Sequence, residues 1–138
     1  MRQCLLALAL LAAAPSFAAA PAFRDPVEVP YIGFKAELHD GLVLTSWKHY
    51  KRDDFTSYRV VKSDVDGSPM YPATKAIYTT LAVGDTEFVD GLLSEGTFHY
   101  RLVILTRFGD RWASPVVTVV VGPGQAKRST PTAGDFEP

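Results

Sequence analysis

Residues 96–107, GTFHYRLVILTR, alternate along their whole length. In an extended chain Phe98, Tyr100, Leu102 and Ile104 share one face, and His99, Arg101, Val103 and Leu105 share the other. A helix would scatter both sets around its axis. The segment is therefore expected to be a long strand, and it needs partner strands to satisfy its backbone groups.

The rest of the chain supplies those partners. Phe34, Ala36 and Leu38 alternate with Lys35 and Glu37, and His39-Asp40-Gly41 gives turn chemistry before LVLTSWK, 42–48. Leu42 and Leu44 fall on one face of a regular pleat and Trp47 on the other, so a bulge near Thr45-Ser46 is expected to turn all three inward. A third strand is expected at 55–63, with Tyr58 and Val60 opposite Arg59 and Val61. Asp66-Gly67-Ser68-Pro69 and Pro72 make 64–75 a long connection. Short strands follow at 77–80 and 86–89 around Gly84-Asp85, and a last one at 113–121. Helical periodicity is absent after the leader. About seven short strands joined by turn signals define an all-β, two-sheet antiparallel sandwich or a barrel.

The first residues, MRQCLLALALLAAAPSFAAA, have the form of a cleaved signal peptide, residues 1–18, with the cut after Ala18 to within two residues. Its apolar run is shorter than the ~20 residues of a membrane-spanning helix, so no membrane anchor is expected after cleavage, and the chain is expected to be secreted or periplasmic. The single cysteine, Cys4, lies in that leader. The mature chain must hold its fold by its core, without disulfides or cysteine-bound zinc. Prolines 21, 26 and 30 make 19–29 an extended lead-in, and the polar, breaker-rich stretch 122–138 is expected to be disordered.

Several motifs, in order, resemble the fibronectin type III family, of the kind found as single modules in bacterial extracellular proteins: Leu44 and Trp47; Phe55-x-x-Tyr58-Arg-Val60-Val61-Lys-Ser63; Pro69-Met-Tyr71-Pro72; Phe88-Val89-Asp90; Leu93-x-x-Gly96-Thr97-Phe98-His99-Tyr100; and Ser114-Pro115. The resemblance covers 30–121 as one domain. It implies a sandwich with Trp47, Tyr58 and Tyr100 in the core, and a scaffold without common chemistry. The family's frequent corner tyrosine corresponds to Phe98, which has no hydroxyl, so this corner is expected to rely on packing.

No catalytic constellation emerges. His39, His49 and His99 stand far apart, and a nucleophile and its base must lie within hydrogen-bond reach. Asp64-Val65-Asp66-Gly67 starts like a calcium loop but lacks the later oxygen ligands, and reads as an Asp-Gly turn. No cofactor or metal is expected. With 14 basic and 15 acidic residues and no basic stripe, nucleic acid is not an expected partner.

Aromatic residues carry the functional expectation. The loops 48–54, 81–85 and 107–111 would gather at one end of the resembled sandwich, bringing Tyr50, Arg52, Phe108, Arg111 and Trp112 to a partner-binding surface. The chain then reads as an exported, non-catalytic adaptor docking a protein in the periplasm or cell envelope. The alternative is a carbohydrate-binding accessory module that stacks aromatics on sugar rings. A second possible surface is the strand face bearing Arg59, Val61, Arg101, Val103 and Leu105. Arg107-Phe108-Gly109-Asp110 is a tight hairpin and not an adhesive Arg-Gly-Asp loop, because Phe108 breaks the spacing.

Overall fold

A computed structural model of the chain describes residues 22–91, 94–126 and 131–138. The expected signal peptide lies outside these residues. Nine strands are present among them: β1 (Val27–Glu28), β2 (Lys35–His39), β3 (Leu42–Ser46), β4 (Phe55–Ser63), β5 (Ala76–Thr80), β6 (Glu87–Asp90), β7 (Gly96–Thr106), β8 (Arg111–Ala113) and β9 (Val117–Val121). One sheet has the order β1-β8-β7-β4-β5 with β9 also on β7, and the other is β2-β3-β6. All pairings are antiparallel except β1 with β8. The result is a two-sheet sandwich.

Two strands exceed the expected seven, each for a physical reason. The lead-in does not merely run extended, because Val27 and Glu28 pair with Trp112 and Ala113 and cover that part of the sheet edge. The expected last strand is divided at Ser114-Pro115, where proline has no N–H for the ladder. Ser114 fills the gap on both sides, its N–H donating to Leu102 O at 2.9 Å and its Oγ accepting from Leu102 N at 3.0 Å. Both halves still pair with β7. After β9 the chain turns through Gly122 N–H to Gln125 Oε1, and Ala126 packs against the core.

Between the sheets lie Phe34, Val43, Trp47, Tyr58, Val60, Tyr100, Leu102 and Ile104. The bulge expected near Thr45-Ser46 is absent, since β3 pairs with β2 without interruption. Val43, Thr45 and Trp47 face inward, and Leu44 faces solvent. A regular pleat is retained because the Thr45 hydroxyl donates to Phe88 O at 2.6 Å, which removes the cost of burying it.

The second surface considered from sequence is not a surface. Val61 and Val103 are fully buried and Leu105 is 4% exposed, in a second apolar cluster with Ala113. Phe23 from the lead-in and Met70 and Tyr71 from the long connection cover it. Arg101 fastens this cover, reaching Ser68 Oγ and Pro69 O at 3.3 Å each and Glu28 at 3.5 Å. Arg59 lies 4.7 Å above the Tyr71 ring. The valines therefore face a second core layer, which alternation alone cannot distinguish from exposed β-branched residues.

This assignment predicts that Leu105→Ala destabilises the protein by about 2–4 kcal/mol, as core truncations do. Urea unfolding measures it, and a change within about 0.5 kcal/mol, typical of surface sites, would contradict the covered face.

Candidate functional site

The three loops expected at one end of the sandwich are joined by hydrogen bonds. Tyr58, fully buried on β4, accepts from the Tyr50 N–H and donates to Val83 O, both at 2.8 Å. One hydroxyl thus ties the 48–54 loop to the 81–85 loop. The third loop joins through Arg107, whose N–H donates to Asp54 O at 3.0 Å and whose Nη1 donates to Asp53 O at 2.7 Å.

A groove of about 360 Å³ opens beside these loops. Val29, Tyr31 and Ile32 form one wall, residues 48–52 the other, and Ile104 and Trp112 line it between them. The first wall is a 3-10 turn, Pro30–Ile32, entered by proline and ended by Gly33 at φ 66°. Gly33 suits this stop because residues with a side chain rarely adopt that φ, and the Lys48 stem packs over it. Lys48 N–H donates to Ile32 O at 3.0 Å and holds the walls together.

Inside the groove Tyr50 donates its hydroxyl to Asp54 Oδ1 at 2.7 Å. Burial and the Asp54 carboxylate push this hydroxyl above the ordinary tyrosine value, while Trp112 and Arg52 act in the opposite sense. The Trp112 indole Nε1 is buried without a hydrogen-bond partner of good geometry among the described residues. An aromatic path, Tyr50–Phe55–Tyr58–Trp47, runs from this wall into the core with ring spacings of 6.2, 4.6 and 5.4 Å.

Of the residues proposed from sequence, Tyr50, Arg52 and Trp112 line this groove together. Phe108 does not line it. It sits at the hairpin tip, 56% exposed, with the Arg107 guanidinium 4.8 Å from its ring. Arg111 points to the opposite side of the sheet from Trp112, as strand neighbours must. There its Nε donates to Arg24 O and its Nη1 to Tyr71 O, each at 3.0 Å, so it fastens the lead-in and the long connection. Asp110 is buried, accepting from Thr106 Oγ1 at 2.9 Å and pairing with Arg24 at 3.3 Å, and Gly109 has φ 81°. The hairpin is accordingly a closed turn.

Sequence reasoning missed Tyr31, Lys48 and Lys51. Pro30 and Gly33 bracketing Tyr31 were the available signal, since together they start and stop a short turn. The histidines stand apart: His39 beside Asp40, His49 in the groove, and His99 bonded to Thr118. Asp66 Oδ1 accepts the Ser68 N–H at 2.8 Å in an Asp-Gly turn.

At the corner before β7 the expectation of packing alone fails. Two residues after Phe98, the Tyr100 hydroxyl donates to Asp90 Oδ2 at 2.7 Å, and Lys62 Nζ reaches the same oxygen at 2.7 Å. Lys62 also lies 4.7 Å from the Phe98 ring centre. A side-chain network thus performs the fastening that Phe98 cannot.

This arrangement of sheets and connections is an immunoglobulin-like antiparallel sandwich. It has the fibronectin type III fold, by likeness to the sixth fibronectin type III domain of human fibronectin type III domain containing protein 3. That likeness has a TM-score of 0.53 and 20% identity, and covers 82% of this chain and 97% of the other. The pectate lyase PelI of Erwinia chrysanthemi, solved with tetragalacturonic acid, also matches with a TM-score of 0.50 and 13% identity, over 62% of this chain and 27% of that one. At such identities the likeness concerns fold alone. No family model and no curated protein matches the sequence.

Tyr58 and Tyr100, both fully buried, are held above the ordinary tyrosine value. Burial is the main cause for each, with Asp90 adding to it at Tyr100. Because the neutral form is favoured on folding, their contribution to stability is intact below the ordinary tyrosine value of about 10 and is lost as pH rises above it. Alkaline ultraviolet titration is therefore expected to show Tyr58 and Tyr100 ionising only with unfolding. Ionisation of all six tyrosines near pH ~10 in a folded protein would contradict their burial.

Proposed function

We propose that this chain is an exported, non-catalytic binding module that docks a protein of the periplasm or cell envelope through the loop-end groove. The observation that carries this reading is the convergence of Tyr31, Tyr50 and Trp112 with Lys48, Lys51 and Arg52 on one concavity. Tyrosine, tryptophan and arginine are the residue types that dominate binding energy when they surround a pocket. Tyr31 is 82% exposed, so its ring is open to a partner at the mouth of the groove. Export is supported by the form of residues 1–18. No helix among the described residues is long and apolar enough to cross a membrane.

A carbohydrate-binding role is the second reading, and three aromatic side chains around one concavity favour it. The remaining lining favours protein. Sugar hydroxyls need acceptors as well as donors, and no carboxylate or carboxamide side chain lines the groove. Val29, Ile32 and Ile104 instead offer an apolar lining.

Affinity capture from envelope extract tests this function. Wild-type protein is expected to retain a partner that Tyr31→Ala and Trp112→Ala each release, with a hot-spot loss of roughly 30-fold in affinity. Tyr31 is exposed, so its variant keeps the fold. Release by Phe108→Ala, with full retention by both groove variants, would overturn the groove as the contact surface.

A further inference from the structure

The groove's rim carries positive charge that no ion pair among the described residues neutralises. Among the described residues the ion pairs are Arg24–Asp110, His39–Asp40, Lys62–Asp90 and Arg101–Glu28. Lys48, Lys51 and Arg52 enter none of them, and no acidic residue lines the groove. The nearest carboxylate in sequence to that wall, apart from exposed Asp53, is Asp54, which is buried and engaged by the Tyr50 hydroxyl. Three cations thus stand at one opening over an apolar lining.

The walls also limit how a partner can bind. Val29 N–H is committed to Ala113 O, Lys48 N–H to Ile32 O and Tyr50 N–H to the Tyr58 hydroxyl. These backbone donors are unavailable for strand addition, in which main-chain hydrogen bonds supply the affinity. With those three donors taken, the lining side chains are what the groove chiefly offers a partner. Ring and aliphatic surfaces call for an apolar anchor, and the cations call for carboxylates beside it.

We infer that the groove recognises an acidic polypeptide segment that places an aromatic or large aliphatic side chain between carboxylates. This inference rests on the protein-docking reading above. The anchor lies against Val29, Ile32, Ile104 and Trp112, with Tyr31 closing over it, while Lys51 and Arg52 engage the flanking carboxylates. The Lys48 stem passes over Gly33, and its exposed side chain adds to the same positive rim.

The test uses the full chain and a capped peptide with one phenylalanine between aspartates, with binding followed by tryptophan fluorescence and calorimetry. Binding is expected to weaken at least about fivefold when asparagine replaces the aspartates, and again when salt rises from ~0.02 to ~0.3 M. Lys51→Glu with Arg52→Glu should abolish it in a protein that still unfolds cooperatively, because both side chains are exposed. Alanine in place of phenylalanine should also abolish it. Equal binding of the acidic and amide peptides would overturn the inference. So would binding of an oligouronate with none of the peptide, which would assign the same cations to an acidic glycan. Capture of the native partner separates the two levels: if Tyr31→Ala releases it and Lys51→Glu with Arg52→Glu does not, docking stands and the acidic segment falls.

Discussion

The Tyr58 hydroxyl is the interaction on which the loop end depends. It belongs to a fully buried side chain whose ring lies between the sheets, and at their loop end leaving it unpaired would cost about 1–3 kcal/mol. Its two partners are the Tyr50 N–H and Val83 O, the backbones of two different loops. A group that must be satisfied for the core to form therefore fixes the loops as the core forms. Tyr50, held in this way at its backbone and by Asp54 at its hydroxyl, becomes a stationary wall of the groove.

The opposite face of the larger sheet follows a different design. Val61, Val103, Leu105 and Ala113 would leave an apolar surface, and the chain covers it with Phe23 and with the turn holding Met70 and Tyr71. Arg101 and Arg111 act as fasteners, donating to Pro69 O, Tyr71 O and Arg24 O. This second layer has a functional consequence. With one face covered and the lead-in strand paired to β8, the groove beside the 48–52 wall keeps aromatic and cationic side chains open.

The fold was legible because period-two alternation is set by the pleat itself, and β7 carries it for its full length. Where side-chain hydrophobicity was weighed against that period, the period prevailed: Leu44 faces out and Thr45 faces in, because a bond to Phe88 that lies 43 residues away makes the buried hydroxyl acceptable. Tyr50, Arg52 and Trp112 were legible as site residues from type and position. For Tyr31 only the turn was legible, from Pro30 and Gly33, since its place in the wall depends on Lys48 N–H meeting Ile32 O across the chain. Arg111, expected at the loop end with the 107–111 hairpin, lies on β8, where it faces the opposite way from its neighbour Trp112. The covered face was illegible for a general reason: valine alternating with arginine reads the same under a loop as it does under water.

The central claim is that one buried hydroxyl holds the loop end in shape, and amide hydrogen exchange tests it most directly. In the wild-type protein the Tyr50 amide should be protected well beyond its neighbours in the charged loop. In Tyr58→Phe that protection, with that of the 81–85 loop, should fall to the level of local opening, while the amides of β7 remain slow. Unchanged exchange at Tyr50 in Tyr58→Phe would contradict the claim and leave the loops to be held by Arg107 and packing alone.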